Sequence, residues 1–156
     1  FTSLLNLEAR GAKPEDIHVM PYPQYGVKLY GNAIIASEEF LKKNPEAVKA
    51  FLRAFTKAAK EVLANPKAAI DVVKERDGII NPALEERRLR LAIASSIVTD
   101  DARADGFGDV SKPRLALMAS QVGDAFNTKT RVDPDAVWNG SFLPPVAERA
   151  IFPAKK

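Results

Sequence analysis

The chain has 156 residues, 46% of them hydrophobic and 28% charged, and its 23 basic and 20 acidic side chains leave a formal net charge of +3. That length and composition suit one globular domain and argue against disorder, while a mild charge spread along the chain argues against a nucleic-acid-binding block. The absence of cysteine removes disulfides, thiolate nucleophiles, iron–sulfur clusters and thiolate zinc sites, and no apolar run approaches the roughly 20 residues that cross a bilayer.

Thr2 or Ser3 is placed to cap a first helix carrying Leu4, Leu5 and Leu7, which Gly11 ends where a left-handed residue is needed. Pro14-Glu15-Asp16 reads as a turn, followed by a short strand with Ile17, Val19 and Met20. Pro21 and Pro23 stop that strand because neither donates to a ladder. Tyr25 to Tyr30 reads as a loop or edge strand. After the break at Gly31 and Asn32, the apolar run Ala33 to Ala36 predicts a buried strand.

From there the chain turns helical. Ser37 caps a short turn with Phe40 and Leu41, and Asn44-Pro45, Asn65-Pro66 and Asn81-Pro82 each set a capping amide before a proline at the first helical position. In the helix predicted over Pro45 to Ala64, Val48, Phe51, Leu52, Phe55, Ala59, Val62 and Leu63 share one face, which predicts a core helix on a sheet with Val48, Phe51, Leu52 and Phe55 buried. Ile70, Val72 and Val73 mark the next helix, and Leu84, Leu89, Leu91, Ile93 and Ile97 the one after. A loop rich in Asp and Gly is expected from Asp100 to Asp109. A further helix begins near Lys112-Pro113, and Asp133-Pro134-Asp135 starts a short one with Val137 and Trp138. Strands first and helices later make a helix-dominated α/β chain, whose few strands need partners to form a sheet.

No catalytic, metal or cofactor constellation emerges. His18 is the only histidine, which makes poor metal chemistry and leaves the serines without a relay. Asp100, Asp101, Asp105 and Asp109 lack the order and the terminal Glu of a calcium loop, so an exposed loop is expected. Glu85, Glu86, Arg87, Arg88 and Arg90 fall at spacings that form pairs within one helix and need no phosphate partner. The aromatic residues Phe1, Tyr22, Tyr25 and Tyr30 gather in a region of turns, where rings, phenols and the Asn32 amide suit a small-molecule cleft; packing at a strand edge is the alternative.

Several stretches carry a resemblance together: Leu7 to Gly11 followed by Pro14-Glu15-Asp16-Ile17, then Tyr25-Gly26, Tyr30-Gly31-Asn32, the NPEAV and ANPKAA helix starts, and DAVWNGSFLPP from Asp135 to Pro145. In order and spacing they resemble the nitrate, sulfonate, taurine and thiamine-pyrimidine branch of the periplasmic substrate-binding proteins that feed ABC importers. The resemblance implies part of a type II-like two-lobed fold. It implies capture of a small polar or aromatic solute by hinge closure, delivery to an ABC permease, and an extracytoplasmic location. Phe1, Thr2 and Ser3 would lie near the hinge and Tyr25, Tyr30 and Asn32 near the cleft, all as ligand-binding residues. The chain starts at Phe1 without an initiator Met, and the resembled proteins are about twice as long, so the expectation is a C-terminal portion that self-associates when unpartnered. A thiamine-pyrimidine synthase-like enzyme is the alternative within that superfamily, but its histidine and cysteine-rich motif is missing here. A helical interaction domain is the other alternative.

Overall fold

Local signals at helix starts decide most of the architecture. The computed structural model describes residues 2–151 and contains α1 (Thr2–Ala9), α2 (Glu38–Lys43), α3 (Pro45–Ala64), α4 (Pro66–Arg76), α5 (Pro82–Ala92), α6 (Asp100–Asp105), α7 (Lys112–Ala125), α8 (Pro134–Val137) and α9 (Val146–Arg149). All three Asn-Pro pairs start helices. Asn65 Oδ1 accepts from the Ala68 N–H at 3.2 Å, and Asn81 Oδ1 accepts from Ala83 and Leu84 at 3.1 and 3.2 Å. Asn44, which ends α2 as well as starting α3, makes no such bond; Ser37 caps that short helix through Phe40 N–H at 3.2 Å. Gly11, after α1, has φ +97°, the left-handed conformation expected of it.

Three expectations are corrected. The strands over Ile17–Met20 and Ala33–Ala36 do not form, and no strand occurs among the described residues. A strand exists only through a ladder, and no neighbouring segment offers one: no hydrogen bond to the main chain of residues 30–36 occurs among the described residues. The fold is therefore helix-dominated, and its α/β character is not realised here. The Asp/Gly-rich loop is half helix, since Thr99 Oγ1 takes the Ala102 N–H at 3.2 Å and starts α6. Finally, α3 is one helix as expected, but Phe51 and Phe55 are 55% and 44% exposed, and Val48 and Leu52 are only half-buried. With no sheet beneath it, the stripe is covered only in part, Phe55 stacking on Phe107 at 6.2 Å.

The core is thin. Leu5 and Ile70 are, apart from Pro66 and Pro144, the buried apolar side chains among the described residues, where α1 packs on α5 and α4 packs on both α3 and α5. Ion pairs border that packing: Arg87 reaches Glu8 at 2.6 Å, Arg88 donates to Asn6 Oδ1 at 2.9 Å and pairs with Glu85, and Arg90 holds Glu86. Arg88 and Arg90 of α5 thus pair within the helix as expected, whereas Arg87 takes its partner from α1. Beyond α5 the chain makes one π-helical turn, Ile93–Ile97, closed by Val98 N–H on Ile93 O at 2.9 Å. The accessible surface of 11792 Å² exceeds by roughly 4,000 Å² the ~7,700 Å² expected of a compact protein of this mass.

A second anchor joins the two ends of the C-terminal half. Arg149 is buried, with Nη2 on Asp109 Oδ2 at 2.7 Å, Nη1 on Asp105 O at 2.6 Å and Nε on Pro144 O at 3.1 Å. The Phe107 N–H returns a bond to Arg149 O at 2.8 Å. Gly106 sits between them with φ +84° and ψ 163°, a region open only to glycine. The α9 segment is in turn tied to α3 through Arg53 on Glu148 at 2.7 Å and Lys60 on Glu148 O at 3.0 Å.

Candidate functional site

The aromatic region before α2 is gripped by α7. The 3₁₀ turn Tyr22–Tyr25 ends at Gly26, whose φ of +87° reverses the chain, and Gln121 of α7 donates to Gly26 O at 3.2 Å. Two turns back along α7, Arg114 donates through Nε to Lys28 O, through Nη2 to Leu29 O and through Nη1 to Asp101 Oδ2, each at 3.0 Å. Its guanidinium carbon also lies 4.2 Å from the centre of the Tyr30 ring, a cation–π contact. The Tyr30 hydroxyl accepts the Ser111 N–H at 2.7 Å, occupying one of the donors a helix start leaves free. Tyr30 is therefore held in place from two directions.

Beside it opens a cleft of about 360 Å³ lined by Lys28, Asp101, Ser111, Pro113, Arg114 and Leu117. Its chemistry is mixed: Leu117 and Pro113 supply apolar area, Ser111 a hydroxyl, Asp101 a carboxylate and Lys28 an ammonium group. Arg114 has its donors committed to the loop and Asp101, so it shapes the wall. Such a mixture suits a small solute with polar groups on an apolar body.

None of the residues expected to bind ligand lines this cleft; Tyr30 comes nearest, touching Ser111 and Arg114 of its wall. Tyr25 is exposed in the 3₁₀ turn just before Gly26, and Asn32 is exposed two residues beyond Tyr30. Thr2 and Ser3 lie exposed in α1, which packs on α5; no hydrogen bond or ring contact among the described residues joins them to Tyr25, Tyr30 or Asn32. Phe1 lies outside the described residues. Lys28, Asp101, Ser111 and Arg114 were not singled out from sequence as site residues. The only signal near them is the Lys-Pro helix start at 112–113, which places Ser111 at a helix N-terminus but says nothing of Tyr30.

Other candidates are structural. His18 is exposed in a stretch without regular structure. Among the described residues no group of three or more His, Cys, Asp or Glu is placed to hold a metal, and Asp109 is paired with Arg149. A second groove, about 540 Å³, runs between α3 and the Pro144–Glu148 segment, but Arg53 and Lys60 on its wall are tied to Glu148. No described helix is long and apolar enough to cross a membrane.

Residues 2–69 match the family model described as NMT1/THI5 like. No curated protein and no solved structure matches the chain. The matched stretch contains Tyr25, Lys28, Tyr30 and Asn32. It supports, at a coarse level, the nitrate, sulfonate and thiamine-pyrimidine binding-protein family, which includes both ABC substrate-binding proteins and thiamine synthase-like proteins.

Proposed function

We propose that this chain is a solute-binding polypeptide of an ABC-type importer, which captures a small polar or aromatic solute outside the cytoplasm and passes it to a permease without transforming it. The observation that carries this reading is the open cleft braced by Tyr30, with Lys28 of the stretch that matches the family model on its wall. Tyr30 holds Ser111 and Arg114 of the wall in place, which lowers the entropic cost of binding, and Lys28 gives the cleft a cation. The thiamine synthase-like reading has less behind it: the chain has no cysteine, and its one histidine is an exposed residue.

Thermal-shift screening followed by calorimetry tests the proposal, with nitrate, alkyl sulfonates, taurine and aminopyrimidines as the probes. At least one probe should raise the melting temperature at millimolar concentration. Lys28→Ala, which leaves the Lys28 carbonyl to Arg114, should weaken an acidic probe by about tenfold, the scale of one charge-assisted contact. Binding that is indifferent to both Lys28→Ala and Tyr30→Ala would refute the site. Turnover of an aminopyrimidine that disappears in His18→Ala would refute the non-catalytic role.

A further inference from the structure

The cleft braced by Tyr30 carries two opposite charges that do not pair with each other. Lys28 and Asp101 both line it, yet no ion pair joins them, and the Lys28 ammonium has no hydrogen-bond or ion-pair partner among the described residues. Asp101 is half committed: Oδ2 accepts from Arg114 Nη1 at 3.0 Å, while Oδ1 has no donor among the described residues. The Asp101 side chain is 44% exposed, so this second oxygen is available to a ligand. The fold does not need either free group where it stands. Thr99 Oγ1 already caps α6 through the Ala102 N–H, and Lys28 is tied to the cleft by its carbonyl, which Arg114 Nε holds at 3.0 Å whatever the ammonium does.

A solute with one acidic group and no cation satisfies Lys28 but meets the Asp101 carboxylate as a like charge. A solute with a cation alone meets the reverse conflict at Lys28. Only a solute with both groups satisfies the two side chains at once, and Pro113 and Leu117 offer apolar area to the carbons that join those groups. The volume of about 360 Å³ lies at the small end of ligand pockets, roughly 300–1,000 Å³. Resting on the solute-binding reading above, we propose that Asp101 sets the specificity of this cleft. It admits a small zwitterion, whose acidic group pairs with Lys28 and whose ammonium group donates to Asp101 Oδ1, and it turns away the same acid when an uncharged group replaces the ammonium. The discrimination is as much repulsive as attractive. Lys28, a compact point charge, accepts a sulfonate or a carboxylate alike.

Two matched pairs of probes test the assignment: taurine against isethionate, and β-alanine against 3-hydroxypropanoate. Within each pair only an ammonium or a hydroxyl group differs, and the pair that responds tells sulfonate from carboxylate. Calorimetry on the whole chain at neutral pH and low ionic strength should give the ammonium member of at least one pair about tenfold higher affinity, the scale of one charge-assisted contact. Asp101→Asn keeps an oxygen for Arg114 and removes the charge. It should reduce that preference to about twofold or less, with the hydroxy acid binding no more weakly than before. Asp101→Ser, a second neutral variant, should give the same result, with folding of both checked by circular dichroism. Lys28→Ala should instead weaken both members of the pair by a similar factor. Equal affinities within both pairs, a preference that survives both neutral variants, or binding of an aminopyrimidine alone would overturn the role of Asp101 and leave solute binding standing. No binding of any probe would remove both.

Discussion

Removing the Arg149 guanidinium should cost this protein more than any exposed substitution. In Arg149→Ala three acceptors lose their donor at once: the Asp109 carboxylate and the carbonyls of Asp105 and Pro144. Hydrogen bonds to a charged group contribute about 1.5–3 kcal/mol each, so their sum is an upper bound that water entering the vacated space reduces. Breaking a buried pair by removing one partner costs about 3–5 kcal/mol. The low end applies here, because the Asp109 side chain is 29% exposed and still accepts from the Val110 N–H at 2.9 Å. The expected loss is therefore about 3 kcal/mol, a large part of the ~5–15 kcal/mol available to a domain. Urea titration followed by Trp138 fluorescence and circular dichroism, at one fixed chain concentration, measures it. Arg149→Lys should recover about 1 kcal/mol at most, since an ammonium group cannot span the fork. A loss below about 1 kcal/mol for Arg149→Ala would refute the view that this residue anchors the Asp105–Asp109 segment.

Gly106→Ala should destabilise by about 1–3 kcal/mol in the same titration, because it combines a glycine-only backbone conformation with a new Cβ only 3.1 Å from Arg149 Cγ. Phe51→Ala should cost about 1 kcal/mol or less at dilute, monomeric concentration, against the ~3–5 kcal/mol of a buried phenylalanine; a larger loss there would mean that the ring is covered in the monomer. Tyr30→Phe should cost about 1 kcal/mol, the usual net value of one hydrogen bond, and should increase amide exchange at Ser111; unchanged exchange would contradict the bond to Tyr30.

The parts of this fold that were readable in the sequence are those whose cause is local. A capping amide followed by proline acts within one turn, so Asn65-Pro66 and Asn81-Pro82 mark helix starts without reference to the rest of the chain. The apolar run at 33–36 is different, since a strand depends on a partner that the run does not encode. The same limit hid the burial of α3: its amphipathic stripe was legible, but whether anything covers Phe51 was not. The cleft was half visible. Tyr30 stood out as an aromatic residue among turns, while Arg114 reads as one more helix-surface cation, because its acceptors are main-chain carbonyls 85 and 86 residues away that leave no trace in side-chain periodicity.

The Arg149 anchor also bears on the order in which the chain folds. Helices α2 to α5 pack mainly on their sequence neighbours, so they close short loops and are expected to form early. The guanidinium of Arg149 must find a carbonyl 44 residues back, and α9 must find α3 across an interval of 95 residues at the Arg53–Glu148 pair. Loop-closure entropy defers such contacts until the early helices have formed. The α9 turn would then act as a late-closing latch, and opening there would expose the Asp105–Asp109 segment to a protease while the α3–α5 stack still stands.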